Sequence, residues 1–170
     1  PALSMVRLTQ GIRQMTPPEQ SKLDWKDGVI PVSTQFNDPY FSMNDGLAET
    51  RHVFLAGNRL PDRLCDGFHV AELGFGTGLN LLALQIAWAG AGRPGTLRYT
   101  SFEAFPLPAA DIARALEAFP EARAVADPFL DQWAQAARHL SLPGIEAEVI
   151  IGDARATLPA WQALADAWFL

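Results

Sequence analysis

The sequence predicts a doubly wound α/β domain on a mostly parallel sheet, and three observations carry that prediction. From residue 68 onward, short strand-forming runs alternate with longer runs whose apolar residues recur at helical spacing, the order of repeated strand–helix–strand units. The first unit turns on Gly74-Phe75-Gly76-Thr77-Gly78, a glycine-rich junction between a strand and a helix. The chain's 170 residues, 49% hydrophobic and 19% charged, support one core but leave no room for a second full domain. The expected organisation is a lead over residues 1–22 and one domain over residues 23–170.

The elements follow in order. Leu23-Asp24-Trp25 and Val29-Ile30-Pro31-Val32 flank Lys26-Asp27-Gly28, where Asp-Gly favours the positive φ of a tight hairpin; Pro31 then belongs on an edge. Phe36 to Ser42 is aromatic but broken by Pro39, which suits an ordered loop. A helix is expected from Asn44 or Asp45 as N-cap to Gly57 as stop, with Glu49 in its first turn, where a carboxylate favours the helix dipole. Phe68 to Leu73 reads as a strand, and Leu79, Leu82, Ile86 and Ala89 as a helix ending at Gly90. Thr96 to Glu103 is the next strand, followed by a helix opened by Pro108 with Ile112, Leu116 and Phe119 as its stripe. A further helix starts at Asp127-Pro128, with Leu130, Trp133, Ala137 and Leu140 on one face. Ile145 to Ile151 is the third strand, Gly152-Asp153-Ala154-Arg155 its exit loop, Trp161 to Ala165 a short helix and Ala167 to Leu170 the fourth strand. The opening at Pro1 and the apolar run at the other end are read as those of a fragment.

A net charge of −6 and a single cysteine, Cys65, narrow the function classes. No overall basic field is available to hold nucleic acid, and neither an intrachain disulfide nor a multi-cysteine metal site is possible. His52, His69 and His139 share no ligand spacing, so no metal is expected. The longest apolar stretch, around residues 79–92, is interrupted by Gln85 and is too short to span a bilayer. Residues 1–20 lack a secretory pattern; a soluble, cytoplasmic protein is the expectation.

Three segments end successive strands: Glu72 to Gly78, Phe102-Glu103-Ala104-Phe105 and Gly152-Asp153-Ala154. In a right-handed doubly wound sheet they meet at the carboxyl edge, the ligand side. Glu103 is placed to accept hydrogen bonds from a ribose diol, and Asp153 from an adenine amino group. A dinucleotide turn reads G-x-G-x-x-G, whereas here the glycines fall at 74, 76 and 78 and Leu79 takes the last position. The E-x-G-x-G-x-G pattern is that of S-adenosylmethionine-dependent methyltransferases of this fold. An NAD-dependent oxidoreductase and a non-catalytic domain that keeps the pocket for stability or partner contact stand as alternatives.

The segments Phe36 to Ser42, Gly46 to Asn58, Glu72 to Asn80, Ser101 to Leu107 and Asp166 to Leu170 resemble the methyltransferase domain of the MnmC family from about residue 23 to the end. The resemblance implies a Rossmann-like fold whose C-terminal part is missing here. It implies S-adenosylmethionine as cofactor and N-methylation of the 5-aminomethyl group of wobble uridine in tRNA; another RNA or a small amine is the rival substrate. By the same resemblance Glu72, Gly74, Gly76 and Gly78, with Phe75 in the same turn, form the methionine end of the site. Glu103 would hold ribose, Phe105 and Asp153 would flank adenine, and Tyr40, Ser42 and Glu49 would close over the cofactor. The family's catalytic acid would fall just after Leu170, so no catalytic residue is expected within the chain, which should bind cofactor without turnover. An FAD-dependent oxidase domain, fused or separate, would lie outside it. The stretch from Leu140 to Gly152 is shorter than in the family, and tRNA contact is expected mainly outside this chain, although Arg7, Arg13, Lys22 and Lys26 gather near its start.

Overall fold

The computed structural model describes residues 23–34, 38–41 and 46–170. Arg7, Arg13 and Lys22, the Asn44 and Asp45 caps and Ser42 lie outside the described residues. Two sheets are present: a small antiparallel one in the order β1-β2-β3 and a five-stranded one in the order β6-β7-β5-β4-β8.

In the small sheet, β1 (Leu23–Lys26) and β2 (Ile30–Ser33) pair through the expected turn, with Asp27 at φ 51° and Gly28 at φ 78°. β2 is the central strand, not an edge, because β3 (Asp38–Pro39) pairs with its other side. Pro31 is tolerated there because β3 is so short: its ladder faces only Val32 and Ser33, and Pro31 contributes its carbonyl, accepting from the Tyr40 amide at 3.0 Å. The next helix begins as α1 (Gly46–Thr50), widens into a π-helical turn (Arg51–Leu55) and closes as a 3-10 turn (Ala56–Asn58). It stops at Arg59 in the left-handed region, φ 56°, two residues beyond the expected Gly57.

In the large sheet, β4 (His69–Leu73), β5 (Leu97–Glu103), β7 (Ile145–Ile151) and β8 (Ala167–Phe169) are parallel. α2 (Leu79–Ala91) runs through Gly90 and stops at Gly92, whose φ of 62° permits the turn. α3 (Ala109–Leu116) follows Pro108, and an unforeseen α4 (Pro120–Arg123) precedes α5 (Asp127–Ala134). The expected stripe through Ala137 and Leu140 breaks because Ala136 takes φ 59°. The chain then turns into β6 (His139–Leu142), antiparallel to β7. α6 (Ala154–Thr157) and a 3-10 turn (Leu158–Ala160) replace the helix expected over 161–165. Pro159 sets the early turn, and Trp161 caps it in extended conformation.

One apolar core joins Leu81, Leu82 and Leu84 of α2 to Val70, Leu97 and Tyr99 of the sheet. Trp161 packs edge-on against Phe102 and Trp168, at 5.6 and 5.7 Å between ring centroids. Its third neighbour, His69, is fixed by bonds to the Leu164 carbonyl and Thr100 Oγ1, both 2.9 Å. Among the described residues no helix is long and apolar enough to cross a membrane, and no cluster of His, Cys, Asp and Glu is arranged to hold a metal ion.

Candidate functional site

β4, β5 and β7 are parallel and in register, so their carboxyl ends share one edge of the sheet. Side chains alternate along a strand. Because Glu72 faces Ser101 across the β4–β5 ladder, Glu103, two residues further on, rises on the same face nearer the rim.

Glu72 is 1% exposed. Its Oε1 accepts from Asn80 Nδ2 at 2.7 Å and its Oε2 from Ser101 Oγ at 2.7 Å, and Thr50 Oγ1 in turn donates to Asn80 Oδ1 at 2.9 Å. The chain Ser101–Glu72–Asn80–Thr50 therefore ties β5, β4, α2 and α1 together. Burial raises the Glu72 pKa to about 7, against the pull of the Tyr99 hydroxyl, Ser101 and Asn80, which favour the ionised form. The Tyr99 hydroxyl faces this carboxyl closely enough to act on its charge, yet makes no hydrogen bond of ordinary geometry. Its influence on Glu72 is therefore electrostatic.

Glu103 holds backbone where Glu72 holds side chains. Its Oε2 accepts from the Gly76 amide at 3.0 Å and its Oε1 from the Phe105 amide at 2.7 Å. One carboxylate thus links the glycine turn to the loop after β5. The Gly152 amide donates to the Glu103 carbonyl at 2.8 Å, bringing the exit of β7 to the same point.

The three glycines differ in what surrounds them. Gly74, at φ 89°, has open space where a Cβ would stand; at Gly76 (φ 55°) a Cβ would meet Tyr40 Cδ1 at 3.3 Å, and at Gly78 (φ 73°) Phe129 and Phe75 at 3.0 to 3.1 Å. Gly78 also caps α2, so no side chain satisfies the first-turn amides of that helix.

Two adjoining cavities open on this edge and share Asp38, Pro39 and Tyr40. The smaller, about 220 Å³, reaches Glu103 and Phe105. The larger, about 430 Å³, reaches Glu49, Thr50, Leu73, Gly74 and Asn80. The described linings hold three carboxylates, Asp38, Glu49 and Glu103, and no lysine or arginine.

The structure thus brings Tyr40, Glu49, Gly74, Glu103 and Phe105 to one groove, with Glu72 behind it. Phe75 turns away into the core: it is 3% exposed and stacks on Trp133 with ring centroids 4.9 Å apart, which takes its side chain out of reach of a ligand. Asp153 stands outside both cavity linings, one residue beyond the Gly152 contact. There it caps α6 and is forked by Arg155, whose side chain and amide lower its pKa to about 2. Lys26 is exposed at the end of β1. Thr50 and Asn80 were not singled out from sequence. The available signal was a lone Asn inside the apolar run Leu79-Asn80-Leu81-Leu82, directly after the glycine turn.

A parallel sheet wound right and left of β4, with a glycine turn feeding the first crossover helix and carboxylates at the next strand tip, is the Rossmann-like methyltransferase fold. Within that class, the chain belongs by sequence to the MnmC family. It is 46% identical to the tRNA 5-methylaminomethyl-2-thiouridine biosynthesis bifunctional protein MnmC of Caulobacter vibrioides, over 92% of this chain and 28% of that protein. The protein of the same name from Aeromonas hydrophila is 40% identical over 88% of this chain and 25% of its own length. The chain therefore spans about a quarter of these curated relatives. The crystal structure of MnmC2 from Aquifex aeolicus shares the fold, with a TM-score of 0.63 over 89% of this chain and 50% of that one, at 22% identity. No protein-family model matches the chain.

Proposed function

We propose that this chain is the cofactor-binding part of an S-adenosylmethionine-dependent enzyme that methylates the 5-aminomethyl group of wobble uridine in tRNA. The observation that carries the reading is the groove itself: carboxylates and no cation among its described lining residues, beside a glycine with open space in front of it. The donor set suits a ligand bearing a sulfonium and an ammonium. It opposes a dinucleotide, whose pyrophosphate would face Asp38 and Glu49 with no described basic side chain to neutralise it. The name of the relatives supplies the tRNA product, and the E-x-G-x-G-x-G turn supplies the cofactor class.

In this reading Glu103 accepts hydrogen bonds from the ribose diol while its backbone bonds hold the glycine turn in place. Phe105 offers an apolar wall in the smaller cavity. Gly74 lets the backbone approach the amino-acid end of the cofactor. The bound cofactor supplies an electrophilic methyl group. The amine that receives it must be uncharged, a form that desolvation on binding favours. Positioning in line does the rest. The second activity of the bifunctional relatives, for which the family resemblance implies FAD, is assigned to no residue of this chain, and localisation in the cytoplasm follows the same reading.

Calorimetric titration of the chain with S-adenosylhomocysteine, with NAD as control, tests the proposal. Saturable binding of the first alone is expected. Binding of NAD alone would return the site to the oxidoreductase class, and binding of neither would leave the glycine turn a structural feature.

A further inference from the structure

Asn80 occupies an unusual position at this edge. It lines the larger cavity, yet both ends of its amide are already held from behind, Nδ2 by Glu72 at 2.7 Å and Oδ1 by the Thr50 hydroxyl at 2.9 Å. Thr50 is 4% exposed and Glu72 1%, so neither anchor can turn to solvent. When ionised, Glu72 only accepts, which then sets the amide with nitrogen towards β4 and oxygen towards α1. A primary amide has two N–H groups and two lone pairs. Each end of Asn80 therefore keeps one unused bonding position, a donor on the nitrogen and an acceptor on the oxygen.

We propose that Asn80 contacts the amino-acid end of the bound cofactor, its spare N–H and spare lone pair meeting the α-carboxylate and the α-ammonium, and that Glu72 and Thr50 are positioning residues that hold it in that attitude. The inference rests on the cofactor reading above. Three features support it beyond the amide's geometry. Gly74 faces open space in the same cavity. The cavity adjoins, through the shared Asp38, Pro39 and Tyr40, the smaller one lined by Glu103 and Phe105, where the cofactor reading places the nucleoside end. Asn80 also stands in the first turn of α2, where no side chain caps the helix, so the carboxylate it would bind sits where the helix favours negative charge. Locking the amide before binding removes the ordering cost that a free Asn would incur on contact.

A purely structural Asn80, serving only to bridge α1 and β4, would leave ligand preference unchanged. The discriminating pair of ligands is S-adenosylhomocysteine and 5′-methylthioadenosine, which shares the nucleoside and thioether but lacks the amino-acid end. Asn80→Ala is expected to weaken S-adenosylhomocysteine about tenfold, the worth of one or two charge-assisted hydrogen bonds, and to leave methylthioadenosine within about twofold. Thr50→Val keeps the Asn80–Glu72 bond and is the second variant should Asn80→Ala fold poorly. It is expected to lose about threefold on S-adenosylhomocysteine alone, and little further when combined with Asn80→Ala, because the two act as one unit. Equal losses for both ligands, or no loss for either, would overturn the proposal while leaving the cofactor reading intact. A parent chain that binds neither ligand would overturn the cofactor reading and this inference with it.

Discussion

Glu72 and Glu103 are the same residue type at the tips of adjacent strands, on one face of the sheet, and the structure uses them in opposite ways. Glu72 is 1% exposed and holds side chains; Glu103 is 8% exposed and holds the amides of Gly76 and Phe105. The depth difference is two residues of strand, yet it separates a carboxyl that organises the scaffold from one that lines the groove. Position along the strand, more than residue type, decides which role a carboxylate takes.

The comparison breaks first where Glu72 is removed. Glu72→Ala should lower the unfolding free energy by about 3 to 4 kcal/mol, because Ser101 and Asn80 each lose a buried partner. Denaturant unfolding at pH 5, where the buried carboxyl is neutral, is the measurement, and a loss under about 1 kcal/mol would show that the network does not hold the elements together. The next effect is in pH. Glu72 titrates near 7 in the folded chain against an ordinary value of 4.5. The raised folded value means that its contribution is fully present below about pH 4.5 and is lost as pH rises through about 7. At about 1.4 kcal/mol for each tenfold change in proton affinity, the loss is about 3 kcal/mol. Glu72→Gln should remove that slope, so the stability difference between the two proteins should change by this amount from pH 4.5 to 8. Parallel profiles would mean that Glu72 ionises normally.

Glu103→Ala should act on the other side of the comparison. Affinity for S-adenosylhomocysteine is expected to fall by about 1.5 to 3 kcal/mol, with a smaller change in stability than Glu72→Ala gives. Calorimetry and unfolding on the same sample read both, and unchanged affinity would remove Glu103 from the ligand. The smallest effects distinguish two glycines of the turn. Both have positive φ, so alanine at either should cost about 1 kcal/mol. Gly76→Ala should be the less stable of the two because Tyr40 already covers it at 3.3 Å, whereas Gly74→Ala should lose more ligand affinity because its new methyl projects into open cavity. Thermal unfolding and titration should give opposite rankings for the pair; identical rankings would dissolve the distinction.

Much of this was legible in the sequence for a physical reason. Alternation of apolar periods, glycines at fixed spacing and carboxylates at strand ends are local signals, and the parallel sheet places them together by topology alone. What failed to show was decided by single residues without a local signature. Ala136 takes a left-handed conformation that alanine does not advertise, so a helical stripe through Ala137 and Leu140 concealed β6. Sequence alone places Pro31 on an edge because nothing in Asp38-Pro39 announces a strand. Phe75 sits inside the glycine turn but points at Trp133, since one residue of a loop can serve the core while its neighbours serve the rim. The tie between Thr50 and Asn80 spans 30 residues and becomes visible only once α1 and α2 are packed.

The widened turn from Arg51 to Leu55 has a consequence for the length of this segment as well as its composition. A helix advances about 100° for each residue, so a π-helical turn shifts the angular phase of everything after it. Before the turn, Thr50 reaches Asn80; after it, Asn58 donates to the Phe54 and Trp168 carbonyls at 2.9 and 3.1 Å, clasping the middle of β8. Both attachments depend on the extra residue carried between them. A register one residue shorter would rotate Asn58 about a quarter-turn off Trp168 while leaving Thr50 in place, so the spacing from 50 to 58 acts as a ruler set between the groove and the outermost strand.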